Sequence, residues 1–172
     1  RVADEPVDGM AVTFARVAAE AVLHRPDSIE SDAFLAVLAE GLVLSGMAMS
    51  VAGSSRPASG ACHEILHAVT QLYPGTSNHG ELAGLGALYA SFLRVRHLGW
   101  SQRRLEEIRS CLLRHQLPIL PTDVGLDEEA FVRAVVHAPG TRPGRFTILE
   151  HLNLSEDEIK RSVADYVEAV GR

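Results

Sequence analysis

Three histidines of this chain have a spacing that suits metal binding. His63 and His67 are four residues apart, and His79 follows sixteen residues after the first. Positions i and i+4 lie on one face of a helix, and imidazole is a common ligand of zinc, iron and nickel. The sequence therefore predicts a site on helices, in which His63 and His79 could share a divalent metal ion.

Chain geometry shows how the two histidines could meet. The pattern predicts a helix from about Gly60 to Tyr73, which climbs roughly 15 Å from His63 at 1.5 Å per residue. Pro74-Gly75 breaks that helix, and Asn78 could cap a second one that opens at His79. We expect the stretch 74–78 to be a nearly taut, extended strap, because it must return the chain to the start of the first helix.

Other interpretations of the same residues stay open. His63 to His67 matches the metallopeptidase motif H-E-x-x-H, in which Glu64 would be the general base. The longer form of that motif is absent, but Glu81 could serve as a carboxylate third ligand. The histidines could also be packed core or surface residues without a ligand.

A Gly/Ser-rich loop, Gly53 to Gly60, precedes the first of these helices. Backbone N–H groups and the helix dipole favour an anion at a helix N-terminus. The loop therefore predicts a substrate or phosphate site, and an ordinary connecting loop is the alternative, since no Walker A lysine follows Gly60. The candidate ligands of an anion are Ser54, Ser55, Arg56 and Ser59.

Composition favours one globular domain over residues 1–172. A hydrophobic content of 47% suffices for a core, and a net charge of −6 argues against a nucleic-acid partner. Two cysteines suit a reducing cytosol, so we expect a cytoplasmic protein. The uncharged run Gly41 to Ser55 is too short to span a bilayer and predicts a buried helix.

Nearly every periodic segment has a helical period, which predicts an all-α fold of six to eight helices. Phe146-Thr147-Ile148 could form one short extended segment inside a loop that runs from Ala138 to Leu149. No dinucleotide-binding fingerprint occurs. Gly80, Gly84 and Gly86 are predicted to let helices approach closely. Helices are predicted over Met10–Leu23, His79–Leu98 and Asp127–His137. Three more are predicted to follow the capping residues Ser31, Ser101 and Ser155, the first reaching Met49 and the second Arg114.

The run from Leu44 to Gly60, which contains Ser-Ser-Arg-Pro-Ala-Ser-Gly, resembles the sn-glycerol-1-phosphate dehydrogenase family. That family belongs with the iron-containing alcohol dehydrogenases, the glycerol dehydrogenases and the 3-dehydroquinate synthases. The histidines match the two metal-ligand helices of this superfamily. The run Thr141 to Leu149 resembles the family's C-terminal Arg-Pro…Arg-Tyr-Thr-Ile-Leu segment.

The resemblance implies a fold and a set of roles. His63 and His79 would be metal ligands, with zinc favoured over iron or nickel. His67 would be catalytic, as a residue that supports the metal ligands from behind or relays a proton. The last ligand would be an acidic residue before this chain begins. NAD or NADP would bind an N-terminal domain absent from this chain, which would be the inactive C-terminal half of a homo-oligomeric enzyme. Cys62 stands where family members often have Glu.

The implied reaction is metal-assisted oxidation of a secondary alcohol, with sn-glycerol 1-phosphate and dihydroxyacetone phosphate as the expected pair. A sugar-phosphate cyclase similar to dehydroquinate synthase is one alternative. Such enzymes depend on lysine in this half, whereas Lys160, the only lysine, lies in a polar segment. A helical interaction module without catalysis is the other alternative.

Overall fold

A computed structural model describes residues 7–171 and contains no strand among them. The all-α class is therefore confirmed. Three short 3-10 helices occur in the described part, at Arg56–Ala58, Pro121–Val124 and Ala138–Thr141. The α-helices are α1 (Gly9–Leu23), α2 (Asp32–Ala52), α3 (Ala61–Leu72), α4 (His79–Leu98), α5 (Gln102–Arg114), α6 (Glu128–His137), α7 (Ile148–Leu152) and α8 (Glu156–Val170).

The chain divides into two compact units, Arg1–Gly60 and Ala61–Arg172. In the first unit α1 packs along α2. A Cβ atom at Gly41 would lie 3.4 Å from the carbonyl oxygen of Ala18, so glycine permits a close approach of the two helices. The first unit is thus a helix pair held by small residues.

Helix α2 is less buried than the sequence predicted. Leu42 is 66% exposed and Val43 is 64% exposed, so the prediction of a buried helix at 41–55 is wrong. Within the described part of the first unit, α1 is the main packing partner of α2 and covers only one side of it. The helix also begins earlier, at Asp32. Its 21 residues, with a mean hydropathy of 1.9 and 17% of the apolar window buried, make it long and apolar enough to cross a membrane by length and composition.

Helix α1 packs on α2 mainly through small side chains. Val12 and Val17 are about half exposed, whereas Ala11 and Ala18 are buried. The small side chains of Ala11 and Ala18 are therefore covered, whereas those of Val12 and Val17 point outward.

The second unit has a continuous hydrophobic core around α4. Tyr89 has no exposed surface, and its ring meets those of Phe131 and Tyr166 edge-on with centroids 5.4 and 5.3 Å apart. Phe92 joins the same cluster, 5.5 Å from Tyr166. This aromatic cluster holds α4 against α6 and α8, and so sets the position of the N-terminal end of α4 within the unit.

Side-chain caps set the helix boundaries. Ser101 caps α5 and Ser155 forms a capping box with Glu158, as the sequence predicted. Asp127, predicted as the first residue of a short helix, is the N-cap of α6. The extended segment predicted at 146–148 is wrong. Thr147 instead caps α7, and its backbone N–H donates to Glu150 at 2.7 Å.

Candidate functional site

His63 and His79 lie side by side. His63 is in the first turn of α3, and His79 is the first residue of α4, with Asn78 as its N-cap. Their ring centroids are 5.3 Å apart and the ring planes meet at 61°. The juxtaposition expected from chain geometry is confirmed, while the role of the pair as metal ligands stays a prediction.

His67 is one turn along the same helix. Its ring centroid lies 6.4 Å from that of His63, as i and i+4 positions require. All three predicted histidines therefore belong to one cluster in the second unit.

The connection between the two helices is a turn and not the predicted extended strap. The Thr76 backbone N–H donates to the carbonyl oxygen of Tyr73 at 3.3 Å, and Gly75 has a φ of 83°, which favours glycine. The imidazole side chains of His63 and His79 project towards each other and bridge part of the distance between the two helix starts. The backbone of the connection therefore does not have to span all of that distance.

A close helix contact holds the two histidine-bearing helices in register. A Cβ atom at Gly86 would lie 2.7 Å from the carbonyl oxygen of Cys62 and 3.0 Å from its Cα atom. Only glycine permits α4 to approach the backbone of α3 this closely. The prediction that glycines of this helix allow close packing is confirmed at Gly86, directly beside the residue that precedes His63.

The thiol of Cys62 contacts the neighbouring histidine. Its Sγ atom lies 3.2 Å from Nδ1 of His63. The contact engages one ring nitrogen and leaves Nε2 as the nitrogen available to a ligand. Helix periodicity could not have indicated this, because it depends on side-chain rotamers.

Glu64 is buried and faces the C-terminal part of the unit. It has no exposed surface, and its Oε2 lies 2.8 Å from the Thr147 hydroxyl. Burial raises its pKa. A general base of a peptidase must reach a solvent-accessible water, so this placement argues against that role.

Electrostatics favour neutral imidazoles, which are the form that binds metals. Burial lowers the pKa of His63, and the charges of His79 and Arg142 lower it further. Burial likewise lowers the pKa of His67, with Arg142 again contributing. Sequence reasoning did not identify Arg142 as part of the site, although the segment that contains it carried the family resemblance.

The cluster fits part of a metal site. Two imidazoles at this separation match two positions of a four-coordinate ion. Within residues 7–171, however, no three His, Cys, Asp or Glu side chains are placed so that together they could hold a metal ion. Glu81, the candidate third ligand, accepts hydrogen bonds from Ser77 and from the Asn78 backbone in the cap of α4.

The predicted phosphate loop lies in the first unit. Arg56 opens a 3-10 helix, and its backbone N–H donates to Ser54 Oγ at 3.4 Å. Ser59 is buried, whereas Ser55 is partly exposed. The phosphate-binding role of these residues stays a prediction.

The second unit thus defines a helical, histidine-bearing domain. No family model matches the chain. The chain is 39% identical over 163 residues to a glycerol-1-phosphate dehydrogenase (NAD(P)+) of Methanoculleus marisnigri, covering 93% of this chain and 43% of that protein. It is 37% identical over 169 residues to the enzyme of the same name from Methanoregula boonei, covering 95% and 44%.

A third relative of that name, from Sulfolobus acidocaldarius, is 37% identical over 125 residues, 73% of this chain and 34% of the relative. The chain belongs to the glycerol-1-phosphate dehydrogenase family. It spans less than half the length of the curated relatives that it matches.

Proposed function

We propose that this chain supplies the helical, metal-binding part of an NAD(P)-dependent oxidoreductase that interconverts sn-glycerol 1-phosphate and dihydroxyacetone phosphate. The observation that carries the proposal is the contact of His63 with His79 at 5.3 Å. It is supported by the relatives, which are named for this activity.

His63 and His79 would hold a divalent ion, zinc in the first instance, through neutral imidazole nitrogens. The two histidines begin neighbouring helices, and the Gly86 contact keeps those helices together. A bound ion would supply Lewis acidity to the secondary alcohol or the ketone. The remaining coordination, like the nicotinamide cofactor, would come from outside these residues.

His67 lies in the next turn of α3 and is the proposed proton relay. It is partly exposed and close to His63. Its lowered pKa keeps the ring neutral, so one ring nitrogen can accept a proton from the alcohol and return it to water.

The two alternative activities fit the geometry less well. A peptidase would need Glu64 at the water, and this carboxyl is buried against Thr147. A cyclase of the lysine-dependent kind would need Lys160 near the histidines. Lys160 instead lies on the exposed side of α8. A cytoplasmic location and a homo-oligomeric full-length enzyme complete the proposal.

The test is turnover by the full-length protein, with glycerol 1-phosphate and NAD(P)+ or dihydroxyacetone phosphate and NAD(P)H. His79→Ala should lower kcat/KM by at least about 100-fold. Removing a group that merely hydrogen-bonds to a metal ligand can already cost that much, and His79 is proposed to be a ligand itself. His24→Ala is the matched control, because His24 pairs with Glu20 on the surface of α1. Peptide hydrolysis that Glu64→Ala abolishes would overturn the proposal in favour of the peptidase.

A further inference from the structure

The sulfur of Cys62 contacts the ring of the histidine that follows it. Its Sγ atom lies 3.2 Å from Nδ1 of His63, and both side chains are partly buried. Consecutive residues of a helix normally diverge and do not face each other. The contact therefore depends on the rotamers of these two side chains and is not a consequence of helix geometry alone.

The helix packing around the contact holds both partners in place. A Cβ atom at Gly86 would lie 2.7 Å from the carbonyl oxygen of Cys62, so α4 packs directly on the residue that carries the thiol. The ring of His63 lies between those of His79 and His67, with centroids 5.3 and 6.4 Å away. The thiol and the ring are thus positioned by the same helix contact that brings the histidine pair together.

The chemistry of imidazole links this contact to metal binding. A neutral imidazole has one N–H group and one bare nitrogen, and only the bare nitrogen binds a metal. The hydrogen bond made by one ring nitrogen decides which nitrogen is bare. When Nδ1 of His63 donates its proton to Sγ of Cys62, Nε2 is the bare nitrogen and is free to bind an ion.

Metal-binding histidines commonly have such a partner for their second nitrogen, and its loss typically weakens metal binding by about 10–100-fold. We propose that Cys62 is a positioning residue, whose sulfur accepts the Nδ1–H of His63 and so directs Nε2 of that ring to the metal ion. The inference rests on the proposed function, because it takes His63 to be a ligand. It gives a role to a thiol that the sequence-based prediction left without one.

The first experiment measures the zinc affinity of the 172-residue chain by calorimetry. Cys62→Ala should weaken zinc binding by at least about tenfold. Cys62→Ser should keep most of the affinity, because its hydroxyl oxygen can still accept the Nδ1–H. Cys111→Ala is the matched control, since it removes the other thiol, which lies on α5. Equal affinities of Cys62→Ala and the wild type would overturn the proposal.

The second experiment needs no variant, so it stays informative if a substitution disturbs folding. It records the imidazole resonances of the zinc-loaded chain, with histidine labelled by nitrogen-15. Zinc should shift Nε2 of His63, and the Nδ1–H proton should be visible because its hydrogen bond slows exchange with water. Zinc on Nδ1 would contradict the proposal, because Nδ1 would then have no proton to donate to the sulfur.

Cobalt in place of zinc distinguishes the positioning role from direct binding of the metal by sulfur. A thiolate bound to cobalt gives an intense charge-transfer band in the near ultraviolet, whereas a sulfur that only accepts a hydrogen bond from a ligand does not. We expect no such band in the wild type. A band that Cys62→Ser abolishes would make Cys62 a ligand and overturn the proposal.

Further comparisons separate this inference from the function on which it rests. Weaker zinc binding in His63→Ala, with unchanged binding in Cys62→Ala, would leave the metal role standing and remove the positioning role. Unaltered affinity in His63→Ala would remove both. Zinc binding that needs both residues, without turnover of glycerol 1-phosphate by the full-length protein, would keep the positioning role and remove the proposed activity.

Discussion

The Thr147 hydroxyl lies 2.8 Å from Oε2 of Glu64, a residue 83 positions earlier in the chain. The same hydroxyl lies 2.8 Å from Oε2 of Glu150 and accepts a hydrogen bond from the Leu149 backbone N–H. A hydroxyl has one proton to donate, so the two carboxyl groups share a single donor. Glu64 is the buried one of the two, and burial raises its pKa.

This arrangement predicts how substitutions at Glu64 affect stability. Glu64→Gln should keep the melting temperature close to that of the wild type, because the neutral amide still offers a hydrogen-bonding partner to the Thr147 hydroxyl. Glu64→Ala should lower the free energy of unfolding by about 1–3 kcal/mol, since it leaves polar groups unpaired in the core. Urea unfolding of both variants measures the difference. Equal destabilisation by Gln and Ala would show that the hydrogen bond with Thr147 does not contribute to stability.

The raised pKa of Glu64 also gives stability a pH dependence. A carboxyl whose folded pKa exceeds its unfolded value stabilises the fold fully below the unfolded pKa, near 4.5, and the contribution is lost as pH rises through the folded pKa. The wild type should therefore lose stability across that window relative to Glu64→Gln. Unfolding free energies of the two proteins, measured from pH 4 upward, would run parallel if Glu64 did not contribute.

The histidine pair predicts weak, specific metal binding by the isolated chain. Two imidazoles leave coordination incomplete, so zinc should bind, and His63→Ala or His79→Ala should weaken binding by at least about tenfold. His24→Ala, which removes a surface histidine of the first unit, should have no effect. Calorimetric titration with zinc measures all four proteins. Unchanged affinity in the first two variants would place the metal elsewhere.

Two glycines of α4, Gly86 and Gly84, are packed closely, and replacing them with alanine is expected to have opposite effects on stability. Gly86→Ala should destabilise the protein by about 1–3 kcal/mol, because its Cβ would meet the backbone of Cys62, which cannot move aside without shifting α3. Gly84→Ala should be tolerated, since its Cβ would meet only the end of the Leu112 side chain. Thermal unfolding measures both. Gly86→Ala should also weaken zinc binding, and an unaltered zinc affinity would show that helix register does not control the pair.

The hydroxyl of Tyr166 predicts a further loss of stability. It donates to the backbone carbonyl of Ile119 at 2.5 Å and has no exposed surface. Tyr166→Phe should cost about 1–3 kcal/mol, the penalty for an unpaired buried acceptor. Tyr73→Phe is the matched control, because its hydroxyl contacts Arg133 near the surface. Similar losses in both variants would mean that burial at Ile119 is not the cause.

Helix boundaries could be predicted because their signals are local. Asn78 and Ser155 each lie three residues before a glutamate, and the resulting capping boxes fixed two helix starts. The same signal at Thr147 and Glu150 was missed, since the neighbouring Phe146 and Ile148 favour strands by propensity. Local chemistry outweighed propensity there.

The parts of the site that could not be predicted depend on tertiary contacts. The juxtaposition of His63 and His79 could be predicted from the length of the helix after His63 and from the helix break at Pro74-Gly75. The position of Arg142 depends on two threonine contacts with Glu64, across separations of 77 and 83 residues. The periodicity of apolar residues does not indicate contacts between residues so far apart in the chain. The exposed apolar residues of α2 were missed because sequence patterns show an apolar face without showing what covers it.

The same separations set an order of events during folding. His63 and His79 are brought together by a local helix–turn–helix, whose loop closes at low entropic cost. The segment that carries Arg142 docks through the contacts of Thr141 and Thr147 with Glu64. Contacts of such high sequence separation form more slowly, because far more chain must be ordered first. We therefore expect the two histidines to meet before the charge of Arg142 begins to lower the pKa of His63 and His67.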